Sequence, residues 1–219
     1  MNVNPSAINV LCNGDSNPYG QKPDKTGRYE INVRWTGILQ ELLGKGYRVI
    51  EEGLGSRTTD LDYDKKPGRN GRTYLLPCLQ SHNPIDIVVI MLGTNDLKTQ
   101  YKRTAEQIAD SLGKLIDDVR TYASTKNAAT PEIVLISPIE INAKAPRFAE
   151  FYTGYYDERS MRESKRLSQA ILELASTKDV LFLDAATVSK PGEDGIHFNE
   201  QSQKPLAKLI FNVINSLSE

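Results

Sequence analysis

Two hydrophobic periodicities alternate along the chain. Short apolar runs rich in β-branched residues, at 8–12, 47–52, 85–91, 133–136 and 180–183, predict strands. Within the third, Ile87-Val88-Val89-Ile90 is continuously apolar, as a central strand covered on both faces should be. Between these runs, 34–43, 74–81, 104–124, 158–176 and 200–217 read as helices. The clearest is 104–124, where Ile108, Leu112, Leu115, Ile116 and Val119 recur at helical spacing. It opens with Thr104 and has Gln107 three residues later, a capping box. Strand and helix alternation of this kind predicts an α/β fold with a parallel sheet and crossover helices. No repeat, low-complexity linker or domain boundary interrupts it, so a single domain over 1–219 is expected.

Two connections exceed the usual length: the polar, charged segment 17–33, and 138–157, which carries Phe148, Phe151, Tyr152, Tyr155 and Tyr156. Both follow strands, and ligands of open α/β sheets bind beyond the carboxyl ends of the strands. The aromatic segment lies between elements, so a lid or a subunit interface is expected of it rather than core.

Composition narrows the function classes. With 27 Lys plus Arg against 28 Asp plus Glu, the net charge is −1, which gives no electrostatic reason to expect nucleic acid or an anionic membrane as partner. The longest apolar run, 85–92, is broken by Asp86 and is far too short to span a bilayer. The first residues lack the basic and apolar regions of a signal peptide, and two cysteines make no disulfide framework, so a reduced, cytoplasmic protein is expected. Two Cys and two His leave too few ligands for a structural zinc site. Cys12 and Cys78 read as small buried hydrophobes, and Trp35 as a packing residue. No Walker loop or dinucleotide glycine fingerprint is present, so neither cofactor nor metal is expected.

The candidate chemistry follows the strands. Asn13-Gly14-Asp15-Ser16-Asn17 comes after the first, Glu52-Gly53-Leu54-Gly55-Ser56-Arg57-Thr58 after the second, and Gly93-Thr94-Asn95-Asp96 after the third. Asp194-Gly195-Ile196-His197 stands before the last helix. A neutral imidazole accepts a hydroxyl proton only when its other nitrogen is held as a donor, and Asp194 is three residues from His197. Ser16, in a tight turn after a strand, can project its hydroxyl above the sheet edge. Asn95 supplies an uncharged side-chain donor of the kind that stabilises an oxyanion. Each has an ordinary structural alternative in isolation: a turn serine, a capping Asp, a post-strand Asn. Together they follow different strands at one sheet edge with complementary roles, which makes coincidence the weaker account. His82, near a predicted helix C-terminus with no carboxylate within three residues, reads as structural.

These blocks resemble the SGNH hydrolases, the GDSL-type esterase superfamily, over nearly the whole chain. Arg34-Trp35-Thr36-Gly37, Glu51-Glu52-Gly53-Leu54, Arg57-Thr58-Thr59 and Met91-Leu92-Gly93-Thr94-Asn95-Asp96 are similar to its bacterial arylesterase/acyltransferase branch. The resemblance implies a three-layer α/β/α sandwich, flavodoxin-like, on a five-stranded parallel sheet. It implies a serine esterase for small acetyl or aryl esters, with acyl transfer to alcohols as an added activity. By motif, Ser16 is the nucleophile, His197 the general base and Asp194 its orienting acid. The oxyanion hole comprises the Ser16 and Ser56 backbone N–H groups and the Asn95 side chain, with Gly55 the alternative to Ser56. Asn17-Pro18-Tyr19 replaces the family's usual residues after the serine, which alters the wall beside the nucleophile. The expected partner is a small-molecule ester, and the aromatic segment is compatible with a homo-oligomer. Carbohydrate acetylesterase, thioesterase and lysophospholipase activities are alternatives on the same fold, and a non-catalytic binding module is the alternative of another class.

Overall fold

A computed structural model describes residues 4–126 and 128–217. Among them, β1 (Ile8–Gly14), β2 (Tyr47–Gly53), β3 (Ile87–Met91), β4 (Glu132–Ser137) and β5 (Leu181–Asp184) form one sheet in the order β2-β1-β3-β4-β5. Every pairing is parallel. Gly14 is in register with Gly53 on one side and Met91 on the other, so three strands end at one level. The strand order reverses between β1 and β3, the switch point where open α/β sheets place their ligands.

Alternate side chains of each strand feed two separate cores, because successive residues point to opposite faces. Val10, Cys12, Val89 and Ile136 pack against Trp35 and Leu39 of α2 (Trp35–Leu43) and against Leu206 and Ile210 of α7 (Glu200–Ser216). Leu11, Val88, Ile90 and Leu135 pack on the other face against α3 (Gly71–His82), α4 (Ala105–Thr125) and α6 (Glu158–Lys178). The result is the α/β/α sandwich expected. Trp35, Cys12 and Cys78 are buried, as packing residues should be.

The five predicted strands and five predicted helices are all present, with shifted ends. The third strand starts at Ile87 because Asp86 turns its carboxylate onto the Asn9 N–H, at 2.7 Å. The helix read from 74 begins at Gly71, where Asn70 caps the Thr73 N–H; its polar first turn hid it from the apolar periodicity. Thr104 and Gln107 form the capping box predicted for α4. Two short helices, α1 (Ser16–Tyr19) and α5 (Phe148–Tyr152), span too few residues for periodicity to reveal them.

The aromatic segment departs from expectation. Phe148 and Tyr156 are buried in the core shared with α6, so these two rings are core residues. Tyr152 packs between them, with ring centroids 5.6 Å from Phe148 and 5.7 Å from Tyr156. The segment folds inward because α5 reaches the turn that carries Asp194: Asn142 N–H donates to Gly195 O and Arg147 N–H to Glu193 O.

Candidate active site

Close backbone approach at the β1 and β2 ends sets the geometry. A side chain at Gly14 would lie 2.3 Å from Pro18, and one at Gly53 2.1 Å from the Tyr19 nitrogen, so α1 can settle onto the sheet edge only over glycines. Asp15 caps α1 by accepting the Asn17 N–H, and Ser16 becomes its first residue. Arg57, 2% exposed, braces the neighbouring turn: its Nη1 donates to Asn13 Oδ1 at 2.9 Å, to Gly14 O at 3.0 Å and to Glu52 O. Thr59 N–H and hydroxyl bind Asp96, which joins the turn after β2 to the one after β3.

Ser16 Oγ lies 2.8 Å from His197 Nε2, across 181 residues of sequence. His197 Nδ1 lies 2.5 Å from Asp194 Oδ2. The other oxygen of Asp194 accepts the Ile196 and His197 N–H groups at 3.0 and 2.9 Å, closing a turn that Gly195 permits with its φ of +77°. Burial alone would raise the Asp194 carboxyl, but hydrogen bonds and charge from His197 and Lys25 outweigh it and hold Asp194 well below the usual carboxylate range. Burial pushes His197 below its ordinary value against the pull of Asp194, and the Lys25 cation adds to that depression. The imidazole is therefore neutral, with Nδ1–H directed at the carboxylate and Nε2 open to the serine proton.

Asn95 Nδ2 donates to Arg57 O at 3.0 Å, and its other hydrogen faces Asp15 Oδ2 at 3.4 Å, a long contact. Ser56 has a φ of +68°, left-handed and unusual for serine. Among the described residues neither the Ser16 nor the Ser56 N–H meets a backbone acceptor. Asn17 is 2% exposed and does not face the cavity, contrary to its expected place in the wall. It instead accepts the Phe198 N–H at 3.0 Å and donates to Ile196 O at 3.2 Å, tying the turn of the serine to the turn of the histidine.

Lys25 and Tyr152, which the sequence did not single out for the site, complete it. Lys25 Nζ donates to Asp194 Oδ2 at 2.8 Å, lies 3.1 Å from His197 Nδ1 and also meets the Tyr152 hydroxyl, which donates to Asp194 at 3.2 Å. The ammonium rests 4.6 Å from the Tyr152 ring centroid. The two long connections thus meet on the Asp194 carboxylate. Length and charge in 17–33 signalled a role for that loop without showing which residue carries it.

His82 has a partner that its sequence neighbourhood hides. Glu52 Oε1, at the end of β2, lies 2.7 Å from His82 Nε2, and Glu52 Oε2 accepts from Tyr74 at 2.6 Å. Cys78 completes a trio whose ligand atoms lie within 4.8 Å of one another. Both carboxylate oxygens are engaged by hydrogen bonds, and the Arg57 guanidinium stacks 4.5 Å from the Tyr74 ring beside them, a poor setting for a cation.

Around the serine opens a cavity of about 370 Å³. A larger groove of about 740 Å³ between α3 and α4, lined by Arg72, Leu76, Asp118 and Tyr122, contains no nucleophile and base pair.

The model of the GDSL-like lipase/acylhydrolase family matches residues 12–204. The chain belongs to that family. Its fold is that of the SGNH hydrolases. It is 37% identical to Est24, a carbohydrate acetylesterase from Sinorhizobium meliloti, with a TM-score of 0.89 over 96% of this chain and 99% of Est24. It is 37% identical to the native aryl esterase of M. smegmatis, with a TM-score of 0.89 over 96% of this chain and all (100%) of the other. A curated relative, the acetylxylan esterase of Xylanibacter ruminicola, is 26% identical over 220 residues. The match covers 93% of this chain and 42% of that protein, so the chain spans less than half the length of this relative. No helix among the described residues is long and apolar enough to cross a membrane.

Proposed function

We propose that this chain is a serine esterase for small acyl esters, with Ser16 as nucleophile, His197 as general base and Asp194 as its orienting carboxylate. The observation that carries the reading is the unbroken contact from Ser16 Oγ through His197 to Asp194, at 2.8 and 2.5 Å, inside the cavity.

In the first half-reaction His197 Nε2 takes the Ser16 proton as Oγ attacks the ester carbonyl. Negative charge develops on the carbonyl oxygen, which faces the Ser16 and Ser56 N–H groups and the Asn95 amide. Asn95 is held by Arg57 O through one hydrogen and can turn the other from its long Asp15 contact to the oxyanion. His197 then protonates the leaving alcohol, and an acyl group remains on Ser16. Water, deprotonated by the same nitrogen, releases the acid and restores the serine. Transfer to an alcohol in place of water requires a water-poor pocket. Four cationic residues line this cavity, which supports hydrolysis over transfer. The small acyl group is common ground between the aryl ester and carbohydrate acetyl ester readings, and the relatives support both equally. A fluorophosphonate probe should label Ser16 alone and abolish turnover of 4-nitrophenyl acetate. Labelling elsewhere, or turnover that survives stoichiometric labelling, overturns the assignment.

The acid limb of kcat/KM tests the electrostatics. His197 works as a base only when neutral, and its depressed value places the midpoint below about 6.5. Lys25→Met removes a cation that disfavours the imidazolium, so the midpoint moves upward. An unchanged profile would show that Lys25 acts on packing only.

A further inference from the structure

We propose that the substrate carries an anionic group close to its scissile ester, held by Lys66, Arg69 and Lys98 on the rim and wall of the Ser16 cavity. The inference rests on the serine-esterase reading and names the substrate class for that site.

Charge selection is the first ground. Lys25, Lys66, Arg69 and Lys98 all line the cavity, and no Asp or Glu does, on a chain whose overall net charge is −1. Lys25 is already neutralised by Asp194. The other three form no ion pair among the described residues: Lys66 Nζ lies 3.3 Å from Ser56 Oγ, and Arg69 donates to the Gly55 and Pro67 carbonyls. Low-dielectric walls concentrate such a field and favour ligands of opposite sign.

Burial is the second ground. Lys98 is 6% exposed, and its Nζ lies over the Tyr63 ring at 4.9 Å with no hydrogen-bond acceptor among the described residues. The groups facing it are Asp15 and Asp96, buried beneath the cavity, and the Lys66 cation beside it. Burial and Lys66 lower the Lys98 value to about 8, a destabilised ammonium that an incoming anion would relieve. Thr94, 4% exposed and also lining the cavity, has a hydroxyl with no partner. A lysine mostly buried in the wall, its ammonium without an ion pair among the described residues, leaves polar capacity that an ester carbonyl and its oxyanion donors do not use. A substrate carboxylate takes it.

The anion can belong to the acyl part or to the alcohol part, and matched ester pairs distinguish these. One pair is 4-acetoxybenzoate and its methyl ester, the other 4-nitrophenyl hydrogen glutarate and 4-nitrophenyl methyl glutarate, with uncatalysed rates subtracted. The readout is the ratio of kcat/KM, anionic over neutral, which cancels general losses of activity. In at least one pair the ratio should be about tenfold or more at low ionic strength, and fall on going to about 0.5 M salt. Lys98→Met and, at the exposed rim, Lys66→Met should each reduce it. A preference in the first pair assigns the anion to the alcohol part, and one in the second to the acyl part. Ratios at or below one in both pairs, or a preference unmoved by either variant, overturn the proposal. Failure of every ester together with no labelling of Ser16 would instead remove the serine-esterase reading.

Discussion

Ser16→Ala lowers kcat for a small acyl ester by about six orders of magnitude, and adding His197→Ala costs almost nothing more. On the proposed mechanism the two side chains form one device: the hydroxyl is a poor nucleophile until Nε2, 2.8 Å away, takes its proton. Losses from groups that act as a unit do not add. Single-turnover measurements with 4-nitrophenyl acetate on both single variants and the double variant check this. Losses that multiply would mean that serine and histidine contribute independently, and the shared proton transfer would fall with that result.

The second large effect is expected at Asp194→Asn, a fall in kcat of about 10⁴. The amide oxygen must stay where Oδ1 is, because that atom accepts the Ile196 and His197 N–H groups that shape the turn. Its NH₂ then occupies the Oδ2 position, donor against donor toward His197 Nδ1–H, Lys25 and Tyr152. The imidazole answers by taking the other tautomer, with the proton on Nε2, where it can no longer act as base. Loss should appear in kcat more than in KM, since no substrate contact is removed. A variant within tenfold of the parent kcat would show that orientation by Asp194 contributes little.

The sheet and its large helices were legible because strand and helix periods persist over enough residues to be counted. The α1 and α5 turns were not, being four and five residues long. Ser16, Asn95, Asp194 and His197 could be singled out because each stands in a short polar block that follows a strand or precedes the last helix, and parallel topology brings such blocks to one edge. Asn17 was visible as a departure from the family pattern, yet its meaning was not: only the folded chain shows it bonded to Ile196 and Phe198 rather than facing substrate. Lys25, Tyr152 and Lys98 escaped for a related reason. A lysine in a polar loop or a tyrosine among aromatics carries no local mark of the carboxylate or cavity it will meet. The Glu52 and His82 contact joins a strand to a helix thirty residues on, beyond any neighbourhood search.

The Asn17 amide has a consequence for how the site assembles. It grips main-chain atoms of residues 196 and 198 and so needs that sequence-distant turn already in place. On the proposed reading, the Ser16 hydroxyl has no base to activate it until that turn has folded against it. By the same reading, hydrolytic power depends on a contact that closes across 181 residues, and it is lost whenever the turn of residues 194–198 undocks.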